Sequence, residues 1–316
     1  MISSKETLNE KTIDVIKEVK KVIHGKDDVI RMTLSAILAG GHVLLDDIPG
    51  VGKTTLAMSF AAAMQLDYRR MQFTPDTLPS DLVGFNLYDK NSGEFRFQAG
   101  TVYTNLFLAD EINRTSPKTQ SALLEVMEEG RATVEGVTRE LPSPFFVIAT
   151  ENPIGSSGTQ KLPESQLDRF LVCLSMGYPD RFSALDILKG NSKQDMQQVR
   201  GVVTREEILQ MQEEVTNLHV NDSMYDYIIR LTEATRNPEN FALGLSPRGS
   251  IALLKMARAF AYISQRNYVI PEDVQDVFMA VAGHRVKISS RAKAAGQILP
   301  TLLENVLRTT PLPKVN

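Results

Sequence analysis

The sequence predicts an α/β protein in two parts: helices over both faces of a mostly parallel sheet, then a helical region in which strands are hard to find. Three observations carry this reading. Apolar strand-like runs at 42–45, 105–110, 145–149 and 171–174 alternate with helical patterns, the order that gives a parallel sheet. The run His42-Val43-Leu44-Leu45 enters Asp46-Asp-Ile-Pro-Gly-Val-Gly-Lys-Thr-Thr, a strand passing into a glycine-bearing loop that opens a helix. Beyond Tyr178-Pro179 helical periodicity dominates. The division is placed there, giving domains over 1–178 and 179–316.

The elements follow in order. Residues 4–23 carry Leu8, Ile13, Val15, Ile16, Val19, Val22 and Ile23 near a 3.6-residue period, a helix ended by Gly25. A second helix runs through Ile30, Leu34, Ile37 and Leu38. After the loop, a helix is expected from about Thr54 to Met64, then a strand over 68–73. Residues 85–88 and 95–98 alternate around Asn91-Ser92-Gly93, the pattern of a β-hairpin. Residues 105–110 form a buried strand. Ser116-Pro117 supplies a cap and a first-turn proline to a helix reaching Gly130. A second hairpin turns at Glu135-Gly136, within 131–141. Two further apolar strands follow, at 145–149 and 171–174. In the second half, Thr204 with Glu207 forms a capping box, and Ser246-Pro247 and Ile270-Pro271 start helices. The tail Thr310-Pro311-Leu312-Pro313 reads as extended and loose.

Composition narrows the function. The chain has 316 residues, 42% hydrophobic and 23% charged, enough for two ordinary globular domains. No run approaches the ~20 apolar residues that span a bilayer, and Met-Ile-Ser-Ser-Lys-Glu lacks the apolar core of a signal peptide. A cytoplasmic location without membrane insertion is expected. The single cysteine, Cys173, lies in an apolar run and reads as a buried structural thiol. Net charge is 35 − 38 = −3, without the basic excess that nucleic acid favours. The four histidines, at 24, 42, 219 and 284, have no metal-ligand spacing, which argues against a zinc site.

The chemistry is concentrated in a few places. The loop Gly50, Val51, Gly52, Lys53, Thr54 and Thr55 leaves backbone N–H groups for a phosphate chain at a helix N-terminus. Its ligand class is a nucleoside triphosphate with Mg²⁺. Lys53 is expected on the β/γ-phosphates and Thr54 on Mg²⁺. The strict G-x-x-x-x-G-K-[ST] pattern would place glycine at 47, where this chain has Asp47. Leu106-Phe-Leu-Ala-Asp110-Glu111 is an apolar strand delivering two acids to the edge where α/β sheets bind ligands. Asp110 is expected to hold Mg²⁺ through its water shell, and Glu111 to orient the attacking water. Asn152, just past the 145–149 strand, is either a second water-binding group or, in Asn-Pro, a turn former. Arg169, closing a short helix, and Arg248, on the first turn of a helix in the second half, either meet phosphate or are ordinary ion-paired arginines.

Asp46-Asp-Ile-Pro-Gly-Val-Gly-Lys-Thr54, Leu108-Ala-Asp-Glu-Ile-Asn-Arg-Thr-Ser-Pro-Lys-Thr-Gln-Ser-Ala-Leu-Leu-Glu125, Ala149-Thr-Glu-Asn-Pro153 and Gln166-Leu-Asp-Arg-Phe170 together resemble the MoxR family of AAA+ ATPases. The resemblance runs from about residue 20 to the end. It implies an αβα P-loop nucleotide-binding domain, a helical lid and assembly into a ring, typically a hexamer. It further implies that Asn152 is sensor 1, Arg169 an arginine finger acting in trans and Arg248 a sensor 2 acting in cis. The 85–98 and 131–141 hairpins match the helix-2 and pre-sensor-1 inserts, and Ile23 and Gly25 match the segment lining the adenine pocket. Two departures stand out. Family members usually carry glutamine at Glu151. Gly-Pro with an apolar pair is commoner where this chain has Ala-Gly-Thr-Val-Tyr.

Three functions are weighed. The first is ATP-driven, chaperone-like remodelling or maturation of a protein client, with a von Willebrand factor A domain protein as the partner the resemblance suggests. The second is a nucleic-acid motor or loader. It would need a basic pore, yet Lys90 and Arg96 are cancelled by Asp89 and Glu94 in the first hairpin. The third is a nucleotide-gated module without turnover. It would tolerate a damaged catalytic set, and here the set is complete.

Overall fold

The computed structural model describes residues 7–151, 162–188 and 196–313. In chain order, α1 (Leu8–Lys20) and α2 (Asp27–Leu38) precede β1 (Val43–Asp46), α3 (Lys53–Ala63), β2 (Tyr68–Gln72) and α4 (Pro79–Val83). The hairpin of β3 (Phe85–Asp89) and β4 (Glu94–Gln98) leads to β5 (Leu106–Asp110) and α5 (Pro117–Glu129). A second hairpin, β6 (Arg131–Val134) and β7 (Val137–Glu140), precedes β8 (Phe146–Glu151), α6 (Glu164–Leu167) and β9 (Val172–Leu174). The rest comprises α7 (Arg181–Leu188), α8 (Arg205–Thr216), α9 (Asp222–Ala234), β10 (Phe241–Leu243) and α10 (Pro247–Ile263). After these come α11 (Pro271–Ala282), β11 (Lys287–Ile288), α12 (Ser290–Ala294) and α13 (Leu299–Thr309).

The main sheet is wholly parallel, in the order β2-β5-β8-β1-β9. Side chains alternate along each strand, so every strand feeds two cores. Leu44, Phe107, Ala109, Val147 and Ala149 point to one face, packed with α5 residues such as Leu123 and Met127. Val43, Leu45, Leu106, Leu108, Phe146 and Ile148 point to the other. Both faces are dry at β1, β5 and β8, which is why these strands read as continuous apolar runs, whereas the edge strand β2 has no buried residue.

The second core does not stop at the first half. It continues through Val19, Ile30, Leu34 and Phe60 into Met211, Leu253, Val277 and Leu303 of the helical region. Polar contacts fasten the same junction. Arg31 donates to Ser264 at 3.0 Å and lies over the Phe260 ring, and the Gln212 amide donates to the Ile37 carbonyl at 2.8 Å. The helical region is thus built onto α1 and α2, not tethered by a linker.

Some expectations are refined. The first helix ends at Lys20, and Gly25 instead makes a left-handed turn at φ 67 before α2. The second half holds a strand pair after all: β10 and β11 are antiparallel, though only two to three residues each, too short to leave a periodic signature. The tail is fastened up to Pro311. Buried Thr310 donates from Oγ1 to the Val306 carbonyl at 2.8 Å, and Arg230 donates to the Pro311 carbonyl at 2.7 Å. The Thr204–Glu207 capping box forms as read, and both hairpins stand where expected.

Two histidines are built in as neutral groups. The His42 Nδ1 accepts from the Val147 N–H at 3.0 Å, so Nε2 carries the proton and donates to the Met127 carbonyl at 2.9 Å. Burial pulls its pKa down to about 4. His284 Nε2 lies 3.1 Å from the Phe170 carbonyl, and burial, with Arg285 alongside, pulls its pKa down to about 3. The unfolded chain takes up protons near pH 6.5, and the folded chain only below these depressed values. Their stabilising contribution is therefore full above pH 6.5 and shrinks as pH falls toward 4 and 3. At pH 5 the loss is about 2 kcal/mol per histidine. Urea midpoints at pH 7 and pH 5 should differ accordingly, and His42→Gln should remove about half of that difference. An unchanged slope in the variant would clear His42.

Candidate active site

Strand order assembles the site. Because β8 lies between β5 and β1, the carboxyl ends of three strands meet, with Asp46 in register with Glu151 and Ala109 with Ala149. The loop after β1 and the start of α3 cover this edge. Gly50 at φ 84 and Gly52 at φ 99 take backbone conformations that side chains disfavour. The turn they make opens a cavity of about 380 Å³ lined by Gly50, Gly52, Lys53, Thr54 and Thr55. Arg70, Asp110 and Glu111 line its far side. Val51, the remaining loop residue of the expected set, packs against the larger core instead.

Lys53 is buried, with its ammonium 2.5 Å from the Asp47 carbonyl and 3.4 Å from that of Glu151. Burial holds its pKa below the usual lysine value, against the pull of Asp47, Asp110, Asp46 and Glu111. A buried ammonium served mainly by carbonyls is set to gain from an anion. Asp110 is also buried. Thr150 donates to its Oδ1 at 2.6 Å, and Arg70 donates to its Oδ2 from Nη2 at 2.7 Å and from Nε at 3.2 Å. The same Thr150 hydroxyl accepts the Glu111 N–H at 2.8 Å. Glu111 sits at φ 59, a left-handed conformation costly for a residue with a side chain. Its carboxylate meets Arg114 at 2.7 Å.

Asp47, the departure from the glycine pattern, has a structural reason. Its carboxylate accepts the Gly177 N–H at 2.7 Å, the Ile48 N–H at 3.0 Å and the Ser175 hydroxyl at 3.1 Å. Glycine at 47 would forgo this tie between the phosphate loop and the chain leaving β9.

Other expected residues fall elsewhere. Ile23 is buried in the larger core, and Gly25 ends the turn before α2; neither lines the cavity. Their neighbour Lys26 donates to the Tyr178 carbonyl at 2.9 Å, next to Gly177. Asn152 lies outside the described residues. Arg169 is not at its own chain's phosphate cavity. It lines a separate cavity of about 290 Å³ with Leu124, Glu125 and Glu128, donating to the Leu124 carbonyl at 2.8 Å and meeting Glu128 Oε2 at 2.9 Å. Arg248 meets Glu128 Oε1, also at 2.9 Å. This pairing places the Arg248 guanidinium on α5 beside that of Arg169. Cys173 is a free thiol, half-buried, with its pKa raised to about 12 chiefly by burial, and so stays protonated and inert.

The reading from sequence missed Arg70, Arg114 and Thr150. The last left a signal: a hydroxyl closing an otherwise apolar strand, inside Ala149-Thr-Glu-Asn-Pro153. The donor set suits a hard cation, because Asp110 and the Thr54 hydroxyl offer oxygen. Among the described residues no group of three His, Cys, Asp or Glu side chains is placed to hold a metal alone. A cation here would share its coordination with phosphates. Nor is any described helix long and apolar enough to cross a membrane.

Comparison with known proteins agrees with this geometry. Residues 42–172 match the ATPase family associated with various cellular activities (AAA), and residues 233–304 match the AAA lid domain. YeaC of Bacillus subtilis is 44% identical over 94% of this chain and 93% of its own length. Chaperone MoxR1 of Mycobacterium tuberculosis is 40% identical over 95% and 82%, and protein MoxR of Methylorubrum extorquens 30% identical over 94% of each. A crystal structure from Cytophaga hutchinsonii superposes with a TM-score of 0.90 at 38% identity, covering 97% of this chain and 96% of that one.

Lys53→Ala should abolish ATP binding in a calorimetric titration, since the buried cation is removed. Thr150→Val should keep ATP binding and lower hydrolysis on the order of 10-fold, because Asp110 and the Glu111 backbone lose their common partner. Unaltered turnover in Thr150→Val would remove that hydroxyl from the catalytic arrangement.

Proposed function

The chain belongs to the MoxR family of AAA+ ATPases, and from that premise we propose that it hydrolyses Mg²⁺-ATP between adjacent copies in a ring to remodel or mature a protein client. The observation that carries this reading is the separation of Arg169 from the phosphate cavity of its own chain. A finger that cannot serve its own pocket is available to a neighbour's.

Within one pocket, each residue has a task. The N–H groups of the loop and Lys53 take the phosphate chain. Thr54 and Asp110 would hold Mg²⁺, which supplies charge neutralisation at the β/γ-phosphates. Glu111 orients the attacking water once its contact with Arg114 loosens. Asn152 is proposed to share that task, on the family resemblance. Arg169 is offered to the next subunit, and Arg248, which shares its carboxylate partner Glu128, is proposed as a sensor 2 acting in cis on the family resemblance. The helical region after about 179 acts as the lid.

The hairpins are the proposed client surface. The first exposes Leu87, Tyr88 and Phe95, and Tyr88 stacks on Phe95 with centroids 5.3 Å apart. The second is joined to it: Asn86 donates to Glu135 at 2.7 Å, and Arg139 lies over the Phe97 ring at 3.8 Å. Two hairpins coupled in this way would move as a unit. The apolar side chains exposed on the strands of the first hairpin suit protein better than nucleic acid, and the name of the MoxR1 chaperone supports a protein client. A von Willebrand factor A domain partner, a hexameric ring and a cytoplasmic setting are proposed on family resemblance.

Glu111→Gln should bind ATP and hydrolyse it about 100-fold more slowly, the scale of losing a general base. Held in ATP, this variant should capture proteins free of nucleic acid in a pull-down; recovery of nucleic acid instead would favour the motor reading. Arg169→Ala should fold, bind ATP and lose activity. In the wild type, turnover per subunit should rise with protein concentration. A rate flat across a range where the protein is demonstrably monomeric would contradict action in trans.

A further inference from the structure

Arg285 is the most heavily engaged side chain outside the site just described. It lies between α11 and β11, with its side chain 4% exposed. A guanidinium has five N–H donors, and here all five are used. The Nε donates to Asp168 Oδ1 at 2.7 Å, Nη1 to the carbonyls of Val281 at 2.6 Å and Leu171 at 3.0 Å, and Nη2 to those of Phe170 at 2.6 Å and Asp168 at 3.2 Å. Four of these bonds fall on the residues flanking Arg169 on either side. Asp168 also accepts the Ser246 hydroxyl at 3.3 Å, and Ser246 caps the helix that carries Arg248 on its first turn.

We infer that Arg285 and Asp168 are positioning residues for Arg169, holding its guanidinium where it is offered to the neighbouring subunit. The inference rests on the trans reading of Arg169 proposed above. Its physical basis is that a buried ion pair is a poor way to add stability, since an apolar side chain of similar volume does as well. What the guanidinium adds is direction: the carbonyls of Asp168, Phe170 and Leu171, on both sides of Arg169, are fixed relative to the lid by a rigid planar fork. The pocket-side contact at Glu128 is partly exposed and easily exchanged. The clamp behind it is not. A change in the lid's posture would therefore reach Arg169 through Arg285.

The test uses mixed rings. Arg285→Lys keeps the charge but has only three donors, so the loop should loosen without loss of the fold. Alone, it should bind ATP within about twofold of wild type and hydrolyse it at least about 10-fold more slowly, since misplacing a catalytic group is costly. Mixed in equal amounts with Glu111→Gln, whose Arg169 is intact, its pockets should meet working fingers at about a quarter of interfaces. Turnover should then rise well above the sum of the two variants. A defect that is merely structural gains nothing from a healthy neighbour. No recovery, or wild-type turnover in Arg285→Lys alone, overturns the positioning role. The control is Arg169→Ala mixed with Glu111→Gln: if that mixture also fails to recover, the trans reading falls, and the positioning role with it. Should Arg285→Lys not fold, Asp168→Asn carries the same comparison.

Discussion

One hydroxyl holds the catalytic edge in order. Thr150 is fully buried and touches both acids at once, donating to the Asp110 carboxylate and accepting the Glu111 N–H. This is possible only because β8 is inserted between β1 and β5. Without the crossover, the loop's lysine and the two acids would sit on adjacent strands with nothing between them to set their height. The left-handed backbone at Glu111 follows from the same contact. The chain must turn sharply after β5 to bring that N–H onto Thr150, and the turn swings the Glu111 carboxylate toward the cavity and Arg114. Strain of this kind persists where surrounding bonds over-determine the backbone.

The second constraint is continuity between the halves. The core beneath β1 and α3 runs without a break into the helical region, so a shift of the lid displaces α1 and α2 as well. Asp47 ties the phosphate loop to Gly177 just before the chain leaves for that region. Arg285 ties the region back to the residues around Arg169. The lid is thus linked to the phosphate loop by one contact and to the arginine pair by another. The phosphate cavity and Arg169 therefore answer to the same body of helices.

Much of this was legible before any coordinates. Apolar runs placed β1, β5, β8 and β9, because dry strands have little but apolar residues to show; β2, an edge strand reading Tyr-Arg-Arg-Met-Gln, carries no such run. Ser116-Pro117 and Ser246-Pro247 marked helix starts through capping chemistry that is local to a few residues. What escaped depended on contacts between distant segments. Asp47 looked like a defect in a glycine pattern until Ser175 and Gly177 arrived beside it. Arg70 is one charge in a strand until that strand is laid against β5, which brings Asp110 to it. Arg248 reads as a phosphate ligand, and nothing local to it announces the ion pair it makes with Glu128 on α5. Periodicity reports burial and caps report ends; neither reports which side chains meet across the fold.

The charge around the cavity bears on the proposed action of Arg169 in trans. Lys53 and Arg70 line it opposite Asp110 and Glu111, so formal charges on its walls cancel. A nucleoside triphosphate brings about four negative charges, concentrated at the reacting end. Lys53 is buried and already engaged with carbonyls, and Arg70 is committed to Asp110. A divalent cation on Thr54 and Asp110 would compensate two charges and release Arg70 from its partner. The remainder has no further cation among the residues lining the pocket. A guanidinium from an adjoining copy, that of Arg169, held loosely at Glu128 and firmly from behind by Asp168 and Arg285, would reduce that deficit. In a site with little water such a deficit is far more costly than at a surface. Turnover would then wait on the neighbour's approach, and hydrolysis would be coupled to assembly by electrostatics alone.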